Sequence, residues 1–504
     1  MWALPLKKRK PGGRGRKNLF EMTIDHAIYG ERADVLYYLT ACKKSPEKSV
    51  VIMSLDIKEN LAEGSVVKKL TKFALPFLAS NIIQSLYVVI DMLVIGNFSG
   101  PASMSGVNIS GQISFILTSL VVGLSMGATV LIGQYVGSGD HESLRRVTAT
   151  TLTILPLAAI ILTVITLVFK EHVLTLMQTP PESYAEADRF LTVTVSGLVF
   201  IFGYNGFSAI LRGMGDSKHP FYFVFIACVI NIGLDFLFIA ALHFGAFGAG
   251  LATVISQAIS MFLCIGYMIK IKFHFDFKPS SFKIDWAQLR LIVKIGLPTS
   301  ASNTIVSISF LFITVIVNIV GGVYASAAVG AAGKFNSFAF MPVSALSASI
   351  TTMAAQSIGA GRMERAVSVT RIGTGVSYVI MGLFFILVQV FPAQVISLFG
   401  NDPEMIAYGV TYLRSFSYDF LLLPFIFCVN GLFTAGGHTF FTMVSDMLSS
   451  VFLRVPICWL FGVLLDWGMR GIGMGAPVAS AGTLLIMIWF LASGRWKHNL
   501  VNRT

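Results

Sequence analysis

"KFALPFLASNIIQSLYVVIDMLVIGNFSG" (residues 72–100) and "KIGLPTSASNTIVSISFLFITVIVNIVGG" (residues 294–322) align without a gap, Lys72 on Lys294. They share Leu75/Leu297, Pro76/Pro298, Ala79/Ala301, Ser80/Ser302, Asn81/Asn303, Ile83/Ile305 and Gly100/Gly322. The register carries on through Gln134/Gln356, Gly137/Gly359 and Gly139/Gly361, so "QYVGSGDHESLRRVT" corresponds to "QSIGAGRMERAVSVT". One residue further out of step, "FGAFGAG" (Phe244–Gly250) matches "WGMRGIG" (Trp467–Gly473). The chain is one unit written twice in the same direction.

Each copy is built from apolar runs. The chain has 504 residues, 55% of them hydrophobic and only 12% charged, with mean hydropathy +0.76. A soluble domain carries about a quarter charged residues, so half that value indicates a polytopic membrane protein. Roughly 20 apolar residues cross the ~30 Å hydrocarbon core as a helix. Such runs fall at about 72–97, 107–136, 147–169, 189–211, 220–242, 247–269, 290–320, 328–357, 367–391, 410–433, 439–465 and 471–493. The expected fold is all-α: twelve transmembrane helices in two six-helix lobes related by a pseudo-two-fold axis along the membrane normal. The lobes span residues 60–275 and 290–495, joined by a linker at 276–289 and followed by a tail at 496–504.

Lys and Arg collect in one set of alternating loops: Arg145 and Arg146, Arg212 and Lys218, Lys270 to Arg290, and Arg362, Arg365 and Arg371. That side is cytoplasmic by the positive-inside rule, and both termini fall on it. The basic stretch "KKRKPGGRGRK" lies in residues 1–53, which lack the apolar core of a secretory signal. They are expected to form a disordered leader outside the bundle, with no nucleic-acid role. Five scattered cysteines show no CxxC spacing, which gives neither a disulfide framework nor a zinc site. No GK[ST] phosphate loop and no nucleophile–base pair emerges, so neither ATP use nor an enzyme is expected.

Parallel repeats of this kind hold substrate near the midplane between lobes that rock to alternate access. A coupling ion then needs a ligand at depth. In the first half the acids within spans are Asp91, in "SLYVVIDMLVIG", and Asp235, in "VINIGLDFLFIAA". Asn231 precedes Asp235 by four residues and shares its helix face. Carboxylates, an amide carbonyl and a hydroxyl make a hard oxygen set suited to Na⁺, and a carboxylate alone suits H⁺. A lone acid in a span can also be a packing hydrogen bond, but intramembrane acids by default mark ion routes. The second half carries Ile313, Arg454 and Cys458 at the positions of Asp91, Asn231 and Asp235, which assigns the carboxylate site to one lobe only.

The chain resembles the multidrug and toxic compound extrusion (MATE) transporters over about residues 60 to 495. The motifs that carry the resemblance are "LPFLASNIIQSLYVVIDMLVIGNFSG", "GLSMGATVLIGQYVGSGD", "AILRGMGDSKHPF", "NIGLDFLFI" and "FGAFGAGLAT". The resemblance implies an antiporter that expels organic cations or amphipathic compounds in exchange for Na⁺ or H⁺. Its cation site would be Asp91, Asn231, Asp235 and Thr253. Some relatives add an acid on helix 7 and another on helix 10. Here helix 7 has no acid and helix 10 has only Asp419, so Asp419 and Arg454 stand as secondary candidates. No cofactor beyond the coupling ion is expected. The protein is expected to act as a monomer in the plasma membrane on a small-molecule substrate. The rival readings are a lipid-linked oligosaccharide flippase, which would line its cavity with Arg and Lys, and a channel or membrane receptor.

Overall fold

The structure, a computed structural model, describes residues 61–271, 275 and 277–499; the expected leader at 1–53 lies outside them. Among the described residues every regular element is a helix. The first six membrane helices are α1 (Val66–Phe98), α2 (Gly100–Ser138), α3 (His141–Leu176), α4 (Pro181–Ser196 with Leu198–Gly213), α5 (Lys218–Ala241) and α6 (Gly245–Lys270). A single element, Trp286–Gly359, follows. Its 74 residues would reach about 110 Å if straight, several times the hydrocarbon core. It breaks at Gly322 (φ 57°, ψ −142°) into α7 (286–321) and α8 (323–359). Then come α9 (Met363–Val390), α10 (Pro403–Leu421 with Leu423–Ala435), α11 (Thr439–Leu464) and α12 (Gly468–Ala492).

Among the described residues nine helices are long and apolar enough to cross a membrane, and the two pairs bent by 45°, α4 and α10, bring this to eleven. Dividing the long element at Gly322 gives the expected twelve. The sequence reading leaves a loop between residues 320 and 328. The chain instead turns on one glycine, because a residue without Cβ tolerates that φ in combination with ψ −142°.

The duplication is written into the backbone. Left-handed residues recur in the repeat register at Gly100 and Gly322, Gly139 and Gly361, and Gly215 and Gly437. His243 and Gly245 recur as Asp466 and Gly468. Each pair ends a helix at the same turn of its lobe.

The lobes meet along α2 and the α7–α8 element. The contact is close because glycines face one another. A Cβ on Gly296 would stand 2.7 Å from the Gly123 carbonyl oxygen. One on Gly137 would overlap the Gln356 carbonyl, and one on Gly359 the Gln134 carbonyl. All of these lie toward the side that holds residues 61 and 499, called the terminal side below.

Two glutamines lock that side. Gln134 Nε2 donates across the lobes to the Ala435 carbonyl at 2.6 Å, and its repeat partner Gln356 Nε2 donates back to the Gly213 carbonyl at 2.9 Å. The oxygen of each amide is also filled: Leu61 N donates to Gln356 Oε1 at 3.1 Å, and Asn499 Nδ2 to Gln134 Oε1 at 2.8 Å. Both glutamines are 1% exposed. A buried amide is tolerated only when its groups are paired, and here the partners come from the opposite lobe and from the segments flanking the bundle. Arg365 strengthens the arrangement by donating to the Leu61, Glu63 and Gly64 carbonyls.

Candidate functional site

The locked side leaves two cavities. The smaller, about 360 Å³, is lined by α1, α2, α4, α5 and α6 of the first lobe and touched by Ala348 and Thr352 of α8. Its polar wall includes Asn81, Gln84, Tyr87, Asn231 and Gln257. Arg212, read from sequence as a loop residue, is in the last turn of α4, lines this cavity and lies over the Phe77 ring at 4.9 Å.

Beyond Tyr87 and Asn231 sits the acid pair. Asp91 is two turns short of the end of α1 at Phe98, in its outer third rather than at mid-helix. Asp235 closes the α-helical part of α5, one turn past Asn231 on the same face. The helix then widens into a π-helical turn, Phe236–Ala241, a feature that recurs at functional sites. The Asp91 and Asp235 carboxyls stand within hydrogen-bonding reach of each other, with the Tyr87 phenol beside them. Asn231 is 2% and Asp235 0% exposed.

The hydrogen-bond state of this group is unusual. Among the described residues, no donor reaches Asp91 Oδ1 or either oxygen of Asp235, and nothing pairs either end of the Asn231 amide. Buried polar atoms are nearly always paired, so three adjacent side chains left open together form a cradle for something else. Carboxylate and carbonyl oxygens suit a small hard cation or a shared proton. The structure brings together Asp91, Asn231 and Asp235. Thr253 is half-buried on α6, one turn from the cavity residue Gln257. Its carbonyl accepts from Ser256, and its hydroxyl makes no hydrogen bond to the three.

The larger cavity, about 1020 Å³, lies between α2 and the second lobe. Asp419 and Arg454 both line it, together with Asp446, Asn430 and Ser302. Asp419 is 1% exposed and lies in the 3₁₀ turn at the bend of α10, where the Ser480 hydroxyl is within reach. Asp446 is on α11; the Ser302 hydroxyl donates to it and the Asn430 amide lies beside it. The second lobe therefore holds acids at depth as well, which corrects the expectation of a carboxylate site in one lobe only. The sequence reading passed over Asp446 entirely. An acid two turns into the α11 run, tested by the same criterion as Asp91, was the available signal.

The two lobes differ in sign at equivalent places. Where the first lobe has Asn231 and Asp235 the second has Arg454 and Cys458, and the Cys458 thiol simply caps the Ile472 carbonyl at 3.4 Å.

A family profile described as MatE matches residues 76–237 and 298–460, one copy per lobe. The chain is similar to the Probable multidrug resistance protein YoeA of Bacillus subtilis, 29% identical over 454 residues, covering 89% of this chain and 98% of that protein. It is similar to the Probable multidrug resistance protein NorM of Thermotoga maritima at 28% identity, covering 88% and 96%. Among solved structures, a MATE in the bent conformation superposes with a TM-score of 0.82 at 21% identity, covering 88% of this chain and 98% of that one. A MOP superfamily transporter from Pyrococcus furiosus gives 0.80 at 22% identity, covering 88% and 98%. At these identities the structures share the fold.

Proposed function

The chain belongs to the MatE family, and from that premise we propose that this multi-pass membrane transporter exports organic cations or amphipathic compounds in exchange for Na⁺ or H⁺. It is no enzyme. The observation that carries the coupling is the open cradle of Asp91, Asn231 and Asp235, buried in one lobe: two facing carboxyls that no protein donor reaches, beside an Asn231 amide with no partner. Thr253 completes the proposed set from α6. The relatives named as multidrug resistance proteins support the cargo class, the bacterial relatives support a plasma-membrane location, and the Lys/Arg bias of the loops supports cytoplasmic termini. The monomer is the proposed working unit.

Two adjacent carboxylates away from water repel each other and lack solvation, so the pair takes up a proton or a cation. With the ion held, the first lobe can close around a neutralised site. Without it, the carboxylates need water or a positive group on the cargo. Ion and cargo thereby favour different arrangements, each by its differential affinity alone. The membrane potential contributes roughly 2.3 kcal/mol per charge per 100 mV. A charged acid costs about 2.5–3.5 kcal/mol at the centre of a helix and less toward the end of α1 where Asp91 stands, which is no more than the scale of what the potential contributes.

Purified protein in liposomes, with Na⁺ and pH gradients imposed separately, tests the proposal. A gradient of one ion should drive uphill movement of an organic cation. No uphill movement with either gradient sinks it.

A further inference from the structure

Arg454 carries a positive charge into the larger cavity, and no ion pair there consumes it. It stands near both Asp419 and Asp446, yet among the described residues the ion pairs all lie elsewhere. Its Nε is buried without a hydrogen-bond partner. Its guanidinium lies over the Phe310 ring at 5.4 Å, which orients the planar fork. Across from it Asp419, 1% exposed, has Oδ1 buried and unpartnered. Asp446, in contrast, is already satisfied by Ser302 and Asn430.

An arginine needed only to neutralise neighbouring acids would close on one of them, because a bidentate pair is the strongest contact its fork can make. Here one open donor face and one open carboxylate oxygen border the same cavity. We infer that this is a two-pronged subsite: Arg454 takes an acidic oxyanion of the cargo and Asp419 takes its amine. The cargo class is then an amphipathic zwitterion with an apolar or aromatic body. This deepens the exporter reading and rests on it. A cavity of about 1020 Å³ holds a drug-sized molecule with room to spare. The repeat also shows that the feature is local to this lobe, since the first lobe places Asn231 where Arg454 stands.

The test uses two probes that differ only in the acidic group: a fluorescent aromatic compound with one amine and one carboxylate, and its methyl ester. Affinities are measured on the purified full chain in nanodiscs, with no gradient. The wild type should favour the acid over the ester, and Arg454→Gln should lower that ratio at least tenfold, with Arg454→Lys in between. Should the Gln variant fail to insert, Arg454→Gln combined with Asp419→Asn, which removes one charge of each sign, carries the test. A ratio that stays within twofold of the wild type assigns Arg454 a purely structural role and overturns the inference, as does a wild type that does not bind the acid. Preference for the acid without uphill export would sink the exporter reading alone. Uphill export with an unchanged ratio would sink this inference alone.

Discussion

Asp91 can lose its charge without losing its shape. Asn at that position is nearly isosteric and removes an expensive buried carboxylate, so Asp91→Asn should insert and fold as the parent does. It should also abolish gradient-driven export, because Asp235 then lacks the second carboxylate that lets the pair hold a proton or cation. Uphill transport by the variant at the parental rate would make Asp91 a packing residue. His438 offers a second test at this scale. It precedes α11, and its Nε2 donates to the Trp496 and His498 carbonyls. Burial pushes its imidazole below the usual 6.5, although the two carbonyls pull the other way. A base that binds its proton more weakly when folded gives stability that is complete above 6.5 and is lost as pH falls below it. The unfolding midpoint should fall between about pH 7.5 and 5.5 more steeply in the wild type than in His438→Asn. Equal slopes would remove His438 from the account. Asp91, Asn231 and Asp235 were legible because they are polar residues inside long apolar runs. Asp446, two turns into the α11 run, is as legible by position as Asp91; what the sequence hides is its environment, since its partner Ser302 lies 144 positions away in the chain.

Helices owe their legibility to length. Each of the twelve must hide its own backbone from lipid, and an uninterrupted apolar run announces that directly. The bends in α4 and α10 carry a smaller mark, Gly197 at the first and Pro424 just past the second, and the π-helical turns in α5 and α11 leave none in the hydropathy of the runs. The glutamine lock was half visible: the Gln134/Gln356 match appeared in the repeat, but nothing local shows that each amide crosses to the other lobe. Changing both to Ala leaves the Ala435 and Gly213 carbonyls buried and unpaired, at about 1–3 kcal/mol each. A population shift of tenfold or more toward an opened terminal side follows. Spin labels at the exposed, repeat-equivalent positions Glu142 and Glu364 should then report a longer distance distribution. An unchanged distribution would show that the glycine contacts hold the lobes by themselves.

For the molecule as a whole, topology is the first quantity to check. The loop residues Arg145, Arg146, Arg362 and Arg365 lie on the side that also holds residues 61 and 499, and so does the linker between the lobes. A cysteine placed at position 278 should therefore be labelled by a membrane-impermeant reagent only from the cytoplasmic side. Labelling in intact cells would invert the orientation and with it the direction of transport. The lock carries a consequence for biogenesis. Gln134 pairs with Asn499, 365 positions later, and with Ala435, 301 positions later. During synthesis the first lobe inserts while neither partner yet exists, so the nascent protein can seal its terminal face only once nearly the whole second lobe has emerged. A stalled ribosome would leave in the membrane a half-molecule with Gln134 unsatisfied and its glycine-lined seam on α2 bare, a form that quality-control proteases could recognise by those two features.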